Sequence, residues 1–551
     1  MEQIRKKESI QMIWVIAVIA VILGISNSFY HRFDLTTDQR YTLSETTKDI
    51  VDEIEGPLFV KVYLEGDFPA EFKRIQTETR QHLEELRSLN KDIVFQFINP
   101  LTKTNELIES GLQPSKLSVQ ENGQVSQAII FPYAVLEYKG KKQNVSLLSE
   151  APATSQEEQL QNSIQNLEFA FTDGINKLVQ EKQKSVAVLR GNGELSDLYL
   201  YSALKKLGEY VHLAEFTLDS SETNPQNTLK ELQKYDLALI AKPTKLFTEN
   251  QKFTLDQFIL NGGKTVWFID QTTAELDSLM DTGNSLVMNR DLGLTDLLFA
   301  YGVRVNYNLT KDMYASTIRL AAGNSGNQTQ YEDFPWLYFP LIFSKNNHPI
   351  NTNLDPVFLR FPSTIDTLKN SIEKTILLHS SPYAKIIGTP ADVSLNEIAE
   401  NPTQESFNQK NLIYGVLLEG EFQSAYKNRI KPFSIQSATD ESVYNQMVVV
   451  SDGDLIANDV LRGEPLPLDQ DKWTKKPLGN QQFLLNTVLF LLEDQSILEL
   501  RAKQVQIKFL DKEKAYREKG FWQILNVLLP LILLMLFGII FNYIRKKRYT
   551  S

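Results

Sequence analysis

Two uncharged segments, one near each end, stand out from the mixed pattern of polar and apolar positions along the chain. Residues 9–30 and residues 521–544 carry no charged side chain and are largely aliphatic. A helix rises about 1.5 Å per residue, so either segment is long enough to cross a hydrocarbon core of about 30 Å. We therefore predict one transmembrane helix within residues 1–30 and a second over residues 521–544.

Basic residues flank both predicted spans on their outer sides. Arg5–Lys7 precede the first span, and a basic tail, residues 545–551, follows the second. Cytoplasmic flanks are enriched in Lys and Arg, so we expect both termini in the cytoplasm and residues 31–520 in the periplasm, outside the inner membrane. Basic residues between 508 and 519 oppose this topology, but two spans place both ends on one side. The alternative for the first span is a cleaved signal peptide.

The periodicity of residues 31–150 predicts a first α/β domain. Its expected elements are, in order, helix 45–54 capped by Thr42 or Ser44, strand 58–66, helix 68–90, strand 92–100, a short helix, and the strand-like segments SKLSVQ, AIIFPYAVLEY and KQNVSLL. The order β-α-β-α-β-β is typical of a thioredoxin-like sheet. The chain has no redox C-x-x-C pair, so the expected likeness is one of architecture only.

The pattern of residues 151–495 predicts a second, larger α/β domain. A helix at 157–184 leads into strands that alternate with helices, which indicates a parallel, doubly wound sheet of the Rossmann or flavodoxin type. An insertion around residues 305–375 is rich in Pro and Asn and interrupts this alternation. The strand-like run QMVVVS and the helix GNQQFLLNTVLFLLED close the domain, and a charged connecting helix, residues 496–520, leads to the second span.

Gly263, Lys264 and Thr265 match the last three positions of a nucleotide-binding P-loop. That motif also requires a glycine five positions before Gly263, where this chain has Phe258. It further requires a strand before the glycines and a helix after them, whereas LDQFILN predicts a helix before them and TVWFID a strand after them. We therefore interpret the segment as a helix end followed by a strand, and we predict that the chain does not hydrolyse ATP itself.

The loop formed by Gly191, Asn192, Gly193 and Glu194 follows a predicted strand, at a position where open α/β sheets bind ligands. The two glycines would let the backbone approach an anion closely, but position 196 is Ser, so the pattern G-x-G-x-x-G is incomplete. Glu194 would also repel a phosphate. A tight turn between strand and helix is the competing interpretation.

Asp270, Asp452 and Asp454 also follow predicted strands. Carboxylate oxygens at neighbouring strand ends are suited to binding a cation or a polyol. Aspartates at such positions also cap helices and form Asx-turns, which is the structural alternative. Together with the loop at residues 191–194, these aspartates are the candidate ligand-site residues of the chain.

The composition limits the chemistry that the chain can support. Its net charge of −11 argues against a nucleic-acid partner. Because the chain has no cysteine, thiolate nucleophiles, disulfides and cysteine-ligated metal sites are excluded. The five histidines are dispersed, and the sequence contains no G-x-S-x-G nucleophile motif. We therefore predict no catalytic residue, no cofactor and no metal.

Several segments resemble a known family, in the same order along the chain. Residues 33–74, FDLTTDQRYTLSETTKDIVDEIEGPLFVKVYLEGDFPAEFKR, resemble the N-terminal domain of GldG, a family of gliding-motility-associated ABC-transporter subunits. The segments VAVLRGNGEL, LALIAKPTKLFTENQKFTLDQFILNGGKTVWFID, LGLTDLLFAYGVRVNYNLTKD and MVVVSDGDLIAND resemble the ABC-transporter auxiliary domain of that family. The resemblance implies a separate ATPase, a separate permease and a link to the secretion machinery of gliding bacteria.

These observations favour a non-catalytic, membrane-anchored accessory subunit of an ABC transporter associated with gliding motility. Its periplasmic domains would contact substrate or an envelope partner. One alternative is a periplasmic solute receptor with a small-molecule pocket at the strand ends. Another is a cell-envelope hydrolase that uses converging carboxylates.

Overall fold

The computed structural model describes residues 14, 42–66, 70–121, 124–148, 156–325, 328–344, 346, 348–400, 402–435, 438–494, 498, 500 and 518–549. The chain divides into two compact units: the larger contains the described residues up to 500, and the smaller contains those from 518 onward. The first predicted span, residues 9–30, lies outside the described residues except for position 14, as does most of the predicted connecting helix, residues 496–520.

The strands of the described residues are β1 (Leu58–Val62), β2 (Ile93–Phe97), β3 (Ser115–Glu121), β4 (Gln124–Ile130), β5 (Tyr133–Tyr138), β6 (Lys141–Ser146), β7 (Ser185–Arg190), β8 (His212–Thr217), β9 (Leu237–Ala241), β10 (Lys264–Phe268), β11 (Asn284–Val287), β12 (Val303–Val305), β13 (Asn308–Asp312), β14 (Ala315–Ser325), β15 (Gln328–Ile342), β16 (Val357–Phe358), β17 (Ile365–Thr367), β18 (Glu373–His379), β19 (Ala384–Gly388), β20 (Ala391–Ser394), β21 (Ile413–Gln423), β22 (Glu441–Val450), β23 (Val460–Leu461) and β24 (Glu464–Pro465).

The α-helices of the same residues are α1 (Glu45–Asp52), α2 (Ala70–Leu89), α3 (Thr104–Glu109), α4 (Gln156–Gln165), α5 (Leu167–Val179), α6 (Asp197–Leu207), α7 (Pro225–Leu232), α8 (Glu249–Leu260), α9 (Leu276–Thr282), α10 (Thr295–Ala300), α11 (Asn480–Leu491) and α12 (Lys519–Tyr549). Short 3-10 helices lie at Pro100–Thr102, Asp219–Glu222, Pro349–Asn351, Leu395–Ala399, Gln404–Ser406 and Asp454–Ile456.

The first domain contains a four-stranded sheet in the order β2-β1-β5-β6. β1 and β2 are parallel, whereas β5 is antiparallel to both β1 and β6. The prediction of one long strand over AIIFPYAVLEY is wrong, because β4 ends at Ile130 and pairs with β3, while β5 begins at Tyr133. Pro132 lies between them and has no N–H with which to continue a ladder. The thioredoxin-like assignment stays a prediction.

The helices that pack on the first sheet differ from the predicted ones in their bounds and in their placement. Ser44, one of the two predicted caps, begins α1 by accepting a hydrogen bond from the N–H of Thr47 at 3.2 Å. The predicted helix 157–184 is divided at Asn166 into α4 and α5. α5 packs on the first sheet so closely that a Cβ atom added to Gly174 would lie 2.5 Å from a valine of β6. A helix that the sequence assigns to the second domain therefore covers the first sheet.

The second domain is built on a seven-stranded sheet in the order β18-β21-β22-β10-β9-β7-β8. The five strands from β22 to β8 are parallel. The expectation of a parallel sheet is wrong at one side, where β21 and β18 run antiparallel to their neighbours. Residues 373–388 contribute to two different sheets, because β18 lies in this sheet whereas β19 pairs with β13.

Helices cover both faces of this sheet because side chains alternate along its buried strands. In β7, Val186 and Val188 belong to the core that includes α6 and α11, whereas Ala187 and Leu189 belong to the core that includes α7 and α8. The strand order reverses between β7 and β9, because β8 lies on the other side of β7. In such sheets, ligands bind outside the carboxyl ends of the strands at this reversal.

The insertion predicted around residues 305–375 is mainly β-structure. Its longest elements, β14 and β15, form an antiparallel hairpin. Trp336, Tyr338, Phe339 and Phe361 are buried in a core cluster separate from the two cores of the central sheet. The insertion therefore packs in an apolar core that it shares with residues of α9, β11 and β20.

The helix α12 contains the second predicted span. By length and composition, the segment Lys519–Lys547 is able to cross a membrane. Pro530 lies inside this helix. The prediction of one continuous helix over residues 521–544 is confirmed.

Candidate functional site

All seven candidate residues lie at one edge of the central sheet. Gly191–Glu194 follow β7, Asp270 follows β10, and Asp452 and Asp454 follow β22. Because β7, β9, β10 and β22 are parallel, their carboxyl ends meet at this edge. β9 lies between β7 and β10, so the residues after β9 separate the candidate loop from the candidate aspartates.

Lys242, the first residue after β9, lies at the centre of the aspartate group. Its ammonium nitrogen lies 2.7 Å from Asp454 Oδ1, 2.9 Å from Glu275 Oε2 and 3.5 Å from Asp270 Oδ2. Only 4% of Lys242 is exposed. Although burial opposes the charged form, the carboxylates of Asp454, Asp270 and Glu275 raise the pKa of Lys242 above its ordinary value. The lysine therefore keeps its positive charge among three carboxylates.

Burial disfavours the charged forms of Asp270 and Asp452. It raises the pKa of Asp270 to about 6, and Asp270 Oδ1 accepts a hydrogen bond from the N–H of Gly453 at 2.6 Å. Burial, together with the charges of Asp270 and Asp454, raises the pKa of Asp452 well above its ordinary value. The Asp452 oxygens accept hydrogen bonds from the N–H groups of Arg360 at 2.5 Å and Asp454 at 2.8 Å. Both aspartates therefore act as acceptors for nearby backbone groups.

Two arginines extend the charge network. Arg290 Nη2 donates to Glu275 Oε1 at 3.1 Å, and its Nη1 lies 3.8 Å from Asp270 Oδ2. Arg360 Nη2 donates to Asp459 Oδ2 at 2.7 Å. Asp270, Glu275 and Asp459 thus each have an arginine within 4 Å.

The arrangement has limited chemical capacity. Among the residues that the structure describes, no group of three or more His, Asp or Glu side chains is arranged to hold a metal ion. The position between Asp270, Glu275 and Asp454 that would suit a cation is filled by the ammonium group of Lys242. A lysine whose pKa is raised is a poor general base near neutral pH. The network is suited to joining chain segments electrostatically.

The loop Gly191–Glu194 packs directly against the residues that follow β9. The carbonyl oxygen of Asn192 accepts hydrogen bonds from the N–H groups of Thr244 at 2.9 Å and Lys245 at 2.8 Å. Gly193 has a φ angle of 76°, and a Cβ atom there would lie 2.1 Å from Thr244 Oγ1. The close approach of the two loops therefore requires a glycine. The strand order reverses at this point, which is where ligands bind in sheets of this kind. The contact between the two loops therefore fills part of that place with protein atoms.

The side chains of this loop also bond within the protein. Asn192 Nδ2 donates to Gln251 Oε1 of α8 at 2.9 Å, and the Asn192 N–H donates to Glu194 Oε2 at 2.8 Å. Burial raises the pKa of Glu194, against the lowering effect of hydrogen bonds from the backbone N–H groups of Glu194 and Asn192. The local geometry is that of a tight turn between strand and helix.

The sequence pattern indicates the aspartates at the strand ends but not Lys242, Glu275, Arg290 or Arg360. The available signal was slight: Lys242 follows directly after LALIA, a strand whose every residue is buried. A lysine at a strand end ordinarily reaches solvent, so its position alone does not indicate burial.

The segment that resembles part of a P-loop lies at the opposite, amino edge of the sheet. α8 ends at Leu260, two glycines follow, and β10 begins at Lys264. The predicted order of helix, glycine turn and strand is confirmed. A Cβ atom at Gly263 would lie 2.4 Å from the ring of Phe258, so this glycine permits close packing of helix and turn.

A cavity of about 570 Å³ lies at this amino edge, and Lys184, Asp236, Lys264 and Glu493 line part of it. Lys184 Nζ lies 3.7 Å from Asp236, and Lys264 Nζ lies 4.0 Å from Glu493. Each lysine thus has an acidic neighbour, and the cavity has no excess charge of one sign that would select a phosphate.

Sequence comparison identifies the family. Residues 183–487 match the family described as an ABC-type uncharacterized transport system. The match covers more than half of the chain, and the chain belongs to this family. Residues 37–137 match a domain of unknown function. The first match includes the central sheet and its insertion, and the second includes most of the first sheet.

A relative from Borreliella burgdorferi, described as an uncharacterized protein, is 20% identical over 556 residues and matches 99% of each chain. Among solved structures, the mmIFT52 N-terminal domain is 13% identical with a TM-score of 0.32, over 56% of this chain and 97% of its own. A ThuA-like protein from Parabacteroides merdae is 9% identical with a TM-score of 0.27, over 60% and 94%. These scores are too low to support an argument about function.

Proposed function

We propose that the chain is a non-catalytic accessory subunit of an ABC transporter complex. A transmembrane helix at each end holds it in the inner membrane, with both termini in the cytoplasm and residues 31–520 in the periplasm. A separate permease and a separate ATPase complete the complex. Membership of an ABC transport family and the long apolar helix α12 support a membrane-associated role in transport.

The observation that carries the non-catalytic assignment is the geometry of the strand ends. The ammonium nitrogen of Lys242 lies within 3.5 Å of carboxylate oxygens of Asp270, Glu275 and Asp454, and the Asn192 carbonyl accepts hydrogen bonds from the loop after β9. Among the described residues of this edge, the lysine ammonium group takes the place of a cation, and Asp270 also accepts a hydrogen bond from the N–H of Gly453. This geometry favours a role in which the periplasmic domains contact other envelope proteins. It is less suited to binding or converting a small molecule.

Energy would enter this complex through the ATPase partner. The chain would transmit the resulting motion through the connecting segment, residues 496–520, between the membrane and the periplasmic domains. Replacing part of this segment with a Gly/Ser linker should abolish transport while the complex still assembles. Unchanged transport would show that the segment is only a tether.

We further propose that the transport system serves surface gliding and contacts the secretion machinery of the cell. The resemblance of residues 33–74 to the GldG family supports this finer assignment. Deleting the chain in its native organism should stop surface spreading, and the full-length chain should restore it. Spreading that persists without the chain would contradict the gliding role but leave the transporter assignment intact.

The decisive experiment is purification of the full-length chain from its native membrane in mild detergent, followed by identification of the proteins that accompany it. We expect a permease and an ATPase, and nucleotide hydrolysis that depends on the ATPase. A lone monomer, or hydrolysis by the chain itself, would contradict the proposal. A ligand-dependent rise in the melting temperature of the chain alone would instead favour a solute receptor.

A further inference from the structure

The helix α12 carries two polar side chains in an otherwise apolar stretch. Between residues 521 and 541, every side chain is apolar except those of Gln523 and Asn526. Pro530 lies in the same stretch, inside the continuous helix. These three residues mark one part of the helix as different from the rest.

Pro530 creates an unsatisfied backbone group next to one of these side chains. A helix bonds each N–H to the carbonyl four residues earlier, and proline has no N–H, so the carbonyl of Asn526 loses its helical donor. Counting 1.5 Å per residue, Asn526 lies about 10 Å from the middle of the segment 521–544. This depth is within the hydrocarbon core, whose half-thickness is about 15 Å.

The polar groups share one face of the helix. At 3.6 residues per turn, Gln523, Asn526 and Pro530 fall within an arc of about 60°. Among the described residues, the side chain of Asn526 makes no hydrogen bond. Hydrocarbon supplies no donor, and each unsatisfied polar group there costs several kcal/mol. A stable membrane helix with this face therefore needs a protein neighbour that provides hydrogen bonds.

We propose that this face of α12, the Asn526 face, binds a transmembrane helix of the permease that places a hydroxyl or amide donor opposite Asn526. The proposal rests on the assignment of the chain as a transporter subunit. A second copy of α12 is a less favourable neighbour. Parallel packing would bring together the basic clusters at residues 545–548 of two copies, which carry like charges at the same end.

The face can be tested by photo-cross-linking, because the chain has no cysteine of its own. Leu533→Cys lies on the Asn526 face, whereas Leu528→Cys lies on roughly the opposite side, by helical spacing. Each variant of the full-length protein is labelled in native membranes with a thiol-reactive benzophenone. We expect Leu533→Cys to cross-link the permease several-fold more than Leu528→Cys. Equal cross-linking of the permease by the two variants, or cross-linking mainly to a second copy of this chain, would overturn the proposal.

The hydrogen bond itself can be tested by replacing the amide. Asn526→Leu should retain about tenfold less permease during detergent purification, the effect of one interhelical hydrogen bond of about 1.4 kcal/mol. Asn542→Leu is the matched control, since position 542 is about 160° around the helix from position 526. Resistance of both variants to carbonate extraction would show that membrane insertion is intact.

The outcomes separate this proposal from the assignment on which it rests. If the wild-type chain retains no permease, the transporter assignment fails, and this proposal fails with it. If the wild type retains the permease and Asn526→Leu retains it equally well, only the proposed contact face is wrong.

Discussion

Lys242 and Asp454 are 212 positions apart in the chain, yet the ammonium nitrogen of one lies 2.7 Å from a carboxylate oxygen of the other. Lys242 follows β9 and Asp454 follows β22, while Asp270, which also contacts the lysine, follows β10. The two ionic contacts of Lys242 therefore join the ends of three parallel strands. We interpret them as stabilising contacts at the edge of the sheet where a ligand would otherwise be expected.

Replacing this lysine should destabilise the protein. Lys242→Met leaves Asp270, Glu275 and Asp454 without their shared cation, and breaking a buried ion pair costs about 3–5 kcal/mol. The apparent free energy of unfolding, from denaturant titration of the detergent-purified chain, should fall by this amount. Lys245→Met removes an exposed lysine of the same loop and should change it by less than about 0.5 kcal/mol. Equal stability of the two variants would contradict a stabilising role for the ion pairs.

Asp270 should make stability depend on pH. Burial raises its folded-state pKa to about 6, compared with about 3.9 for an exposed aspartate. The folded state binds the proton of Asp270 more tightly than the unfolded state does, so protonation of this residue stabilises the fold. This stabilisation is fully present below about pH 4 and is lost as the pH rises through about 6. Two pKa units correspond to about 3 kcal/mol. Between about pH 4 and pH 7, the wild type should lose this much stability relative to Asp270→Asn.

The pH experiment has a control on the neighbouring helix. Asp277 is an exposed aspartate of α9, so Asp277→Asn should leave the pH profile of the wild type nearly unchanged. Unfolding free energies of all three proteins are compared across the pH range in one buffer series. A constant difference between wild type and Asp270→Asn would mean that Asp270 does not titrate in this range.

Two glycines with the same φ angle allow the loop contact to be isolated. Gly193 and Gly283 both have φ near 76°, but only Gly193 has a close neighbour, Thr244. Alanine at either position should destabilise the fold by about 1–2 kcal/mol, because it must adopt a left-handed backbone conformation. Gly193→Ala should cost about 1–3 kcal/mol more, because the loop after β9 must move. Melting temperatures of the two variants measure the difference, and similar values would show that the loops separate easily.

The local pattern predicted the strand ends but not their partners. Apolar runs identify β7, β10 and β22, so the positions of Asp270 and Asp452 at strand ends followed from the sequence. That Lys242 would lie among these carboxylates depends on the order of strands in the sheet, because β9 lies next to β10. No local pattern specifies that order, and a lysine after a strand is ordinarily exposed.

The local sequence pattern also did not specify the direction of each strand or the sheet on which each helix packs. The apolar run in β21 suits a buried strand of either direction, and only its pairing with β22 in the sheet shows that it is antiparallel. The apolar residues of α5, such as Phe171 and Ile175, suit packing on any sheet. That α5 covers the first sheet is indicated only by Gly174, where the helix approaches β6 too closely for a side chain.

A buried carboxylate on α8 provides a last test of how the second domain is held together. Asp256 accepts hydrogen bonds from Tyr301 Oη at 2.9 Å, Ser424 Oγ at 2.7 Å and the N–H of Ala425 at 2.9 Å. Gln257 Nε2 also donates to Asp256 Oδ2 at 3.1 Å, but it has a second acceptor in the carbonyl oxygen of Thr439. Asp256→Ala leaves the other three donors without this acceptor, at about 1–3 kcal/mol for each one that stays unsatisfied, whereas Tyr301→Phe removes one bond and should cost about 1 kcal/mol. The double variant should be less destabilised than the sum of the two, because the orphaned hydroxyl is absent. Additive losses in denaturant titrations would instead indicate that water reaches Tyr301 when Asp256 is removed.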